Sequence, residues 1–307
     1  MNRPIANGVY PTMITPFTEQ NEIDFNAVDH LVKWYAKHGC NGIFAVCQSS
    51  ELFHLSLDER VALGTRVVKT AAEVNPEMCI VASGHISDSI EAQAYELTAM
   101  KETGADALVW ISNRLDLHNE GDDVWIANAE RLLSKIPSDI LLGIYECPRP
   151  YKRLLTPRIL DWCLSTGRFR FIKDTCCDPD LLLQRLAQLN GTEIKLFNAN
   201  AQTLLLTLRK GAAGYSSIMA NFHPYLYAWL CDHYDEIGKA DELEEILSMA
   251  AFTECMAYPV TAKYHLQLEG IPMTLKTRTR SEHDLDSCQK LVVGQMKSLC
   301  ERLQKTL

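Results

Sequence analysis

The lysine of Phe171-Ile172-Lys173 stands at the end of a short apolar run. Burial there would disfavour its ammonium form and leave a neutral amine able to attack a carbonyl carbon. A phenol, Tyr145, closes a second run of the same kind, Leu141-Leu142-Gly143-Ile144. Phenols both donate and accept, so this one could move the proton needed as a carbinolamine forms and collapses. The pair suits Schiff-base chemistry on a ketone. Each residue also has a structural reading: Lys173 paired with Asp174 on a solvated rim, and Tyr145 as a core tyrosine with its hydroxyl satisfied.

The elements that would have to position them are legible as eight apolar runs: Val9 to Ile14, Gly42 to Val46, Cys79 to Ala82, Ala107 to Ile111, Ile140 to Tyr145, Phe169 to Ile172, Ile194 to Phe197, and Ala213 to Ile218. Most are continuously apolar and too short for buried helices, as expected of parallel strands covered on both faces. Between them lie helix starts. Ser56 with Glu59 and Asp88 with Glu91 read as capping boxes, and Thr156-Pro157 and Asp178-Pro179 set a capping side chain before a first-turn proline. Phe25, Val28, Leu31, Val32 and Tyr35 recur at helical spacing. Gly39, Gly104 and Gly211 stand where helix ends take a left-handed residue, and each opens a similar helix-to-strand junction.

Eight such units in roughly 230 residues predict an α/β fold, a (β/α)8 TIM barrel. A doubly wound sheet is the alternative, but no G-x-G-x-x-G turn follows the first run. Past Phe222 the strand signal stops, and Asp241 to Met256, Thr261 to Glu269 and His283 to Leu303 read as helices. The expected division is therefore a catalytic barrel over 1–222 and a C-terminal helical extension over 223–307, packed on the barrel or at a subunit interface.

Reactive groups in such barrels sit at the carboxyl ends of the strands. That rule selects Thr15, Cys47 to Glu51, His85, Ser112 to Arg114, Tyr145 to Pro148, Lys173 to Asp178, Asn198 to Asn200 and Ser216 to Asn221. Over nearly its whole length the sequence resembles the dihydrodipicolinate synthase and N-acetylneuraminate lyase family of class I aldolase-type barrels. The landmarks are Gly8-Val9 with Thr15-Pro16-Phe17, the turn ending in Glu51, Tyr145 with Pro148, Ile172-Lys173-Asp174-Thr175, and Gly214 to Asn221.

The resemblance implies that a 2-keto acid, usually pyruvate, condenses with Lys173, that Tyr145 shuttles protons, and that Gln48, Ser49 and Ser50 hold the keto-acid carboxylate. The Ser49 hydroxyl and the backbone N–H groups of Ser49 and Ser50 could form a small anion nest. Thr175 and Ser217, inside the last two motifs, join the substrate-binding candidates, and Glu51 reads as a structural partner of its loop. No cofactor and no metal are implied.

The departures bear on substrate. Ser112-Asn113-Arg114 replaces a tyrosine pair, one of which would complete a proton relay in dihydrodipicolinate synthases; Pro150, with Arg149 one place early, replaces their aldehyde-binding arginine; and Asn198-Ala199-Asn200 replaces the acidic residues of N-acetylneuraminate lyases. The expectation is a related aldolase or dehydratase acting on another hydroxylated 2-keto acid, such as a 2-keto-3-deoxy sugar acid. Arg114, Arg149, His85 and Asn200 are the candidates for its distal end. The alternatives are dihydrodipicolinate synthase or N-acetylneuraminate lyase proper, a non-catalytic keto-acid binder, a metal enzyme using Cys47, Cys147, Cys176 and His85, and a redox role for Cys176-Cys177.

Composition narrows the partners. The formal charge of −9, without a concentrated basic stripe, disfavours nucleic acid, and no apolar run is long enough for a membrane span. The start Met1-Asn2-Arg3-Pro4 lacks the apolar core of a secretory signal, so a cytoplasmic protein is expected. Eleven scattered cysteines without a C-x-x-C pair fit reduced thiols. The helical tail and the resemblance together suggest a homo-oligomer, a dimer or a tetramer.

Overall fold

Parallel strands flanked by helices bury both pleat faces, which is why the apolar runs lack alternation. In the computed structural model, which describes residues 3–307, they form β1 (Gly8–Val9), β2 (Gly42–Phe44), β3 (Cys79–Ala82), β4 (Ala107–Ile111), β5 (Leu142–Tyr145), β6 (Phe169–Asp174), β7 (Lys195–Asn198) and β8 (Gly214–Tyr215). Met1 and Asn2, the first half of the start read above, lie outside the described residues. The hydrogen-bonded order β1-β8-β7-β6-β5-β4-β3-β2 is all parallel. Closure comes from the segment after β1, where Phe44 N–H donates to Pro11 O at 3.0 Å and Met13 N–H donates to Phe44 O at 3.0 Å. The fold is the expected (β/α)8 TIM barrel.

Eight helices alternate with the strands: α1 (Phe25–Lys37), α2 (Leu57–Val74), α3 (Ile90–Lys101), α4 (Asp122–Lys135), α5 (Pro157–Ser165), α6 (Pro179–Leu189), α7 (Leu204–Leu208) and α8 (Pro224–Asp232). The Ser56–Glu59 capping box opens α2, and Thr156 and Asp178 cap α5 and α6. The box read at Asp88 and Glu91 is not formed. Ser89 caps α3 instead, and Asp88 pairs with Arg114.

Beyond them come α9 (Lys239–Ala250), α10 (Val260–Leu268) and α11 (Ser287–Gln304). The all-helical region from 223 onward thus begins with α8, the barrel's own eighth helix. No helix among the described residues is long and apolar enough to cross a membrane.

Period-two alternation sets what faces the barrel axis. Phe171 and Lys173 share one face of β6, and Phe171 packs inward on Phe197 at 4.6 Å and on Phe44 at 6.0 Å between ring centroids. Tyr10 closes this aromatic layer at 4.6 Å from Phe197. Lys173 therefore stands one layer above an apolar floor. On β5 the residue sharing Tyr145's face is Gly143, where a Cβ would come within 3.0 Å of Phe171 O. Glycine lets the two strands lie close beneath the Tyr145–Lys173 pair.

The extension folds back over the mouth of the barrel. Arg278 donates from its backbone to Glu51 Oε2 at 2.6 Å and from Nη1 to His54 O at 2.8 Å, and pairs with Glu59 at 2.6 Å. Thr274 Oγ1 donates to Phe17 O at 2.7 Å. These bonds tie the extension to the loops that follow β1 and β2 and to the first turn of α2.

Candidate active site

Lys173 and Tyr145 are register partners on β6 and β5. Both side chains line a cavity of about 270 Å³ at the carboxyl end of the barrel. Lys173 is only 5% exposed, which rules out the solvated-rim reading, and its Nζ lies 4.3 Å from the centroid of the Tyr145 ring. Burial is the main force on the amine and lowers its pKa to about 8. The Tyr145 phenol, also buried, is pushed well above its ordinary value and stays protonated. Its O–H donates to Gln48 Oε1 at 3.3 Å.

A buried ion network holds the two strand ends at the correct height. Arg185 of α6 donates to Glu146 Oε1 at 2.6 Å and to Leu155 O at 2.6 Å, and pairs with Asp174. Glu146 follows Tyr145 and Asp174 follows Lys173, so one guanidinium ties both catalytic candidates' neighbours together. Glu146 nevertheless has its pKa raised, because burial and the Asp174 charge outweigh the attraction of Arg185.

The loop after β2 forms a 3-10 turn, Gln48–Ser50, ending at Glu51 in the left-handed region with φ 61°. Gln48 and Ser49 line the cavity. The Ser50 side chain does not: Oγ lies 2.6 Å from Met13 O and 2.5 Å from Ala45 O. Its backbone N–H donates to Cys47 O at 3.0 Å, so the nest expected from Ser49 and Ser50 loses its second member. Glu51 reaches the cavity wall, but Oε2 accepts from Arg278 and Oε1 stands 3.9 Å from buried Lys263 Nζ, in keeping with a structural role.

Other expected contacts are absent from the cavity wall. Thr175 donates from Oγ1 to Glu146 O at 2.7 Å and from its backbone to Glu146 Oε2 at 2.9 Å, fastening two loops. Asn200 donates from Nδ2 to Gln202 Oε1 at 2.6 Å and accepts from Thr203, stabilising the turn after β7. Ser217 is buried beside Ile218, and it is Ile218 that lines the cavity.

Of the four distal candidates only Arg149 reaches it, exposed at the mouth. Arg114 pairs with Asp88. His85 is fully buried; Nε2 accepts from Ile111 N–H at 2.6 Å, so Nδ1 must carry the proton it shares with Gln93 Oε1 at 2.9 Å. Burial lowers its pKa to about 4, and both nitrogens are engaged within the fold.

In the place of the tyrosine pair after β4, Asn113 sets Nδ2 at 2.9, 2.8 and 2.6 Å from the carbonyls of Cys147, Arg149 and Tyr151. It shapes the loop carrying Arg149.

The cavity also contains residues that strand-end reasoning does not select: Phe53 and His54 beyond Glu51, and Tyr258, Pro259, Thr279 and Arg280 from the extension. The one trace in the sequence is the break between the helical patterns ending at Met256 and starting at Thr261, where Tyr258-Pro259 falls.

Comparison with known proteins agrees with the barrel fold. The model of the Dihydrodipicolinate synthetase family matches residues 6–113. The 4-hydroxy-tetrahydrodipicolinate synthase of Clostridium perfringens is 24% identical over 259 residues, 83% of this chain and 86% of its own length. Among solved structures, Ruminococcus gnavus sialic acid aldolase superposes with a TM-score of 0.85 at 17% identity, covering 98% of each chain. YagE from E. coli K12, a prophage protein of the dihydrodipicolinic acid synthase family in complex with pyruvate, gives 0.83 at 20% identity, covering 97% of this chain and 98% of its own. The family match spans the first four strands, and the similarity to the Clostridium perfringens enzyme continues through the rest of the barrel.

Proposed function

We propose that the protein is a class I aldolase or lyase that forms a Schiff base between Lys173 and a 2-keto acid and cleaves or forms a bond in a hydroxylated 2-keto acid, such as a 2-keto-3-deoxy sugar acid. The observation that carries this reading is a buried amine, its pKa lowered to about 8, against the ring of a protonated phenol at the carboxyl end of the barrel. Lys173 Nζ attacks the ketone carbon. Tyr145 gives its proton to the carbinolamine oxygen as water leaves, and the product is a protonated imine.

In the cleavage direction the resulting phenolate accepts the proton of the C4 hydroxyl. The C3–C4 bond electrons move into the imine, leaving a neutral enamine and an aldehyde. Protonation of the enamine and hydrolysis then return the keto acid and the free amine. The imine itself is the electron sink.

Ser49 contributes to holding the carboxylate, and Gln48 orients Tyr145 through the bond at 3.3 Å. Arg149, at the mouth with Arg280 and His54, faces the distal end of the substrate. The pyruvate bound by YagE, a protein of the same fold, supports the keto-acid class. We further propose a cytoplasmic protein that forms a homo-oligomer; exposed Met249, Phe252 and Leu291 on the helical region support the association.

Incubation with pyruvate and with a panel of 2-keto-3-deoxy acids, followed by borohydride reduction and peptide mass spectrometry, tests the chemistry. A reduced adduct on Lys173 and turnover of at least one acid are expected. An adduct with no turnover of any acid would instead indicate a keto-acid binder.

A further inference from the structure

The carboxylate loop of this chain is short of donors. Gln48 turns its amide oxygen inward, where it accepts from Tyr145 and from the Cys147 thiol at 3.2 Å. Ser50 is spent on the backbone, and the Ser49 hydroxyl donates to Thr12 Oγ1 at 3.1 Å. One donor whose polar atom is fully buried in the wall has no such use. Tyr258 Oη is buried beside the hydroxyls of Ser49 and Thr12, yet among the described residues it makes no hydrogen bond of good geometry, and those two hydroxyls are already bonded to each other.

The ring is not free to swing away, because its flanks are anchored. Ala257 and Val260 pack with Leu285 in a small cluster of their own, and Thr261 Oγ1 donates to Met256 O at 3.0 Å. A fixed donor enclosed in a cavity without a well-formed hydrogen bond carries a desolvation cost that an arriving acceptor would remove. The phenol is held protonated by its burial, so that acceptor is what it can serve.

We propose that Tyr258, delivered by the C-terminal helical region of the same chain, binds the carboxylate of the keto acid through Oη, together with Ser49. This makes the extension part of the active site and supplies from another segment the donor that Gln48 and Ser50 do not. The proposal rests on the keto-acid reading of the site, but its test separates the two.

Wild type, Tyr258→Phe and Ser49→Ala are titrated with pyruvate by two readouts: borohydride trapping at Lys173 and calorimetric binding. Hydroxyacetone, a ketone without a carboxylate, is titrated in parallel. Losing one hydrogen bond to a carboxylate should raise the half-saturating pyruvate concentration roughly ten- to hundred-fold in Tyr258→Phe. The maximal extent of trapping and the response to hydroxyacetone should stay unchanged. Tyr258→His, which keeps a ring donor, should recover part of the loss and serves if the phenylalanine variant fails to fold.

An unchanged pyruvate midpoint in a folded, trappable Tyr258→Phe overturns the Tyr258 assignment and leaves Lys173 standing. An equal weakening toward hydroxyacetone also overturns it, since the carboxylate would not be what Tyr258 reads. Pyruvate that binds calorimetrically more weakly to Tyr258→Phe, but is never trapped, upholds Tyr258 and removes the Schiff base. No binding and no trapping in wild type overturns both.

Discussion

Tyr145 and Lys173 face each other across adjacent parallel strands as register partners, with the amine 4.3 Å from the centroid of the phenol ring. In the proposed reaction this contact brings a proton carrier to a nucleophile without a salt bridge, so neither group is neutralised by the other. An ordinary lysine would be almost wholly charged at neutral pH; one held at about 8 keeps roughly a tenth of its amine free at pH 7.

That lowering gives a rate profile. Deuterium exchange into the methyl group of pyruvate, followed by proton NMR, reports enamine formation. Its rate should rise about tenfold per pH step below 8 and level off above it. The Tyr145 phenol, raised well above its ordinary value, should add no downturn below pH 10. A profile flat from pH 6 to 9 would contradict the assignment of Lys173 as the titrating nucleophile.

The same shift has a cost in stability. A lysine whose pKa is about 8 in the fold and 10.5 in the open chain binds its proton more readily when unfolded. The penalty is therefore fully present below pH 8 and fades as pH rises from 8 to 10.5. Lys173→Met should stabilise the protein at pH 7 by up to about 3 kcal/mol in denaturant unfolding, with the gain shrinking toward pH 10. A variant less stable than wild type at pH 7 would count against a strained, buried amine.

Tyr145→Phe keeps the ring against Phe44, 5.7 Å away edge to face, and removes only the proton carrier. The methyl exchange of pyruvate should slow roughly 10²- to 10³-fold, with little change in pyruvate binding. Loss of binding without loss of the limiting rate would assign Tyr145 to substrate holding instead.

Arg185→Met tests the support beneath the pair. It would leave Glu146 and Asp174 buried without their cation, a loss of about 3–5 kcal/mol in unfolding free energy. Because each carboxylate adjoins one of the two site residues, exchange activity in the folded fraction should fall as well. Full activity per folded molecule would show that the network serves stability alone.

Much of this site was legible in the residues themselves. Continuous apolar runs marked the barrel strands because both strand faces are covered, and Lys173 stood out by closing one of them, although its inward turn shows only in the fold. The Ser56–Glu59 box was legible because capping is local. What failed was long-range or rested on side-chain direction. Thr175, Asn200, His85 and Arg114 stand near strand ends, as expected, but their side chains are consumed by bonds to neighbouring turns, helices and strands. Ser50 spends its hydroxyl on carbonyls that the turn brings close. Tyr258 and Arg280 reach the cavity from more than 80 residues beyond Lys173 in the sequence, a distance over which no periodicity speaks.

The most direct measurement is peptide mass spectrometry of the wild-type protein incubated with pyruvate and reduced with borohydride. The account predicts a single reduced pyruvyl adduct on Lys173, abolished in Lys173→Met. No adduct with pyruvate or any member of the keto-acid panel, or an adduct on Lys263 or a surface lysine with Lys173 unmodified, would contradict it.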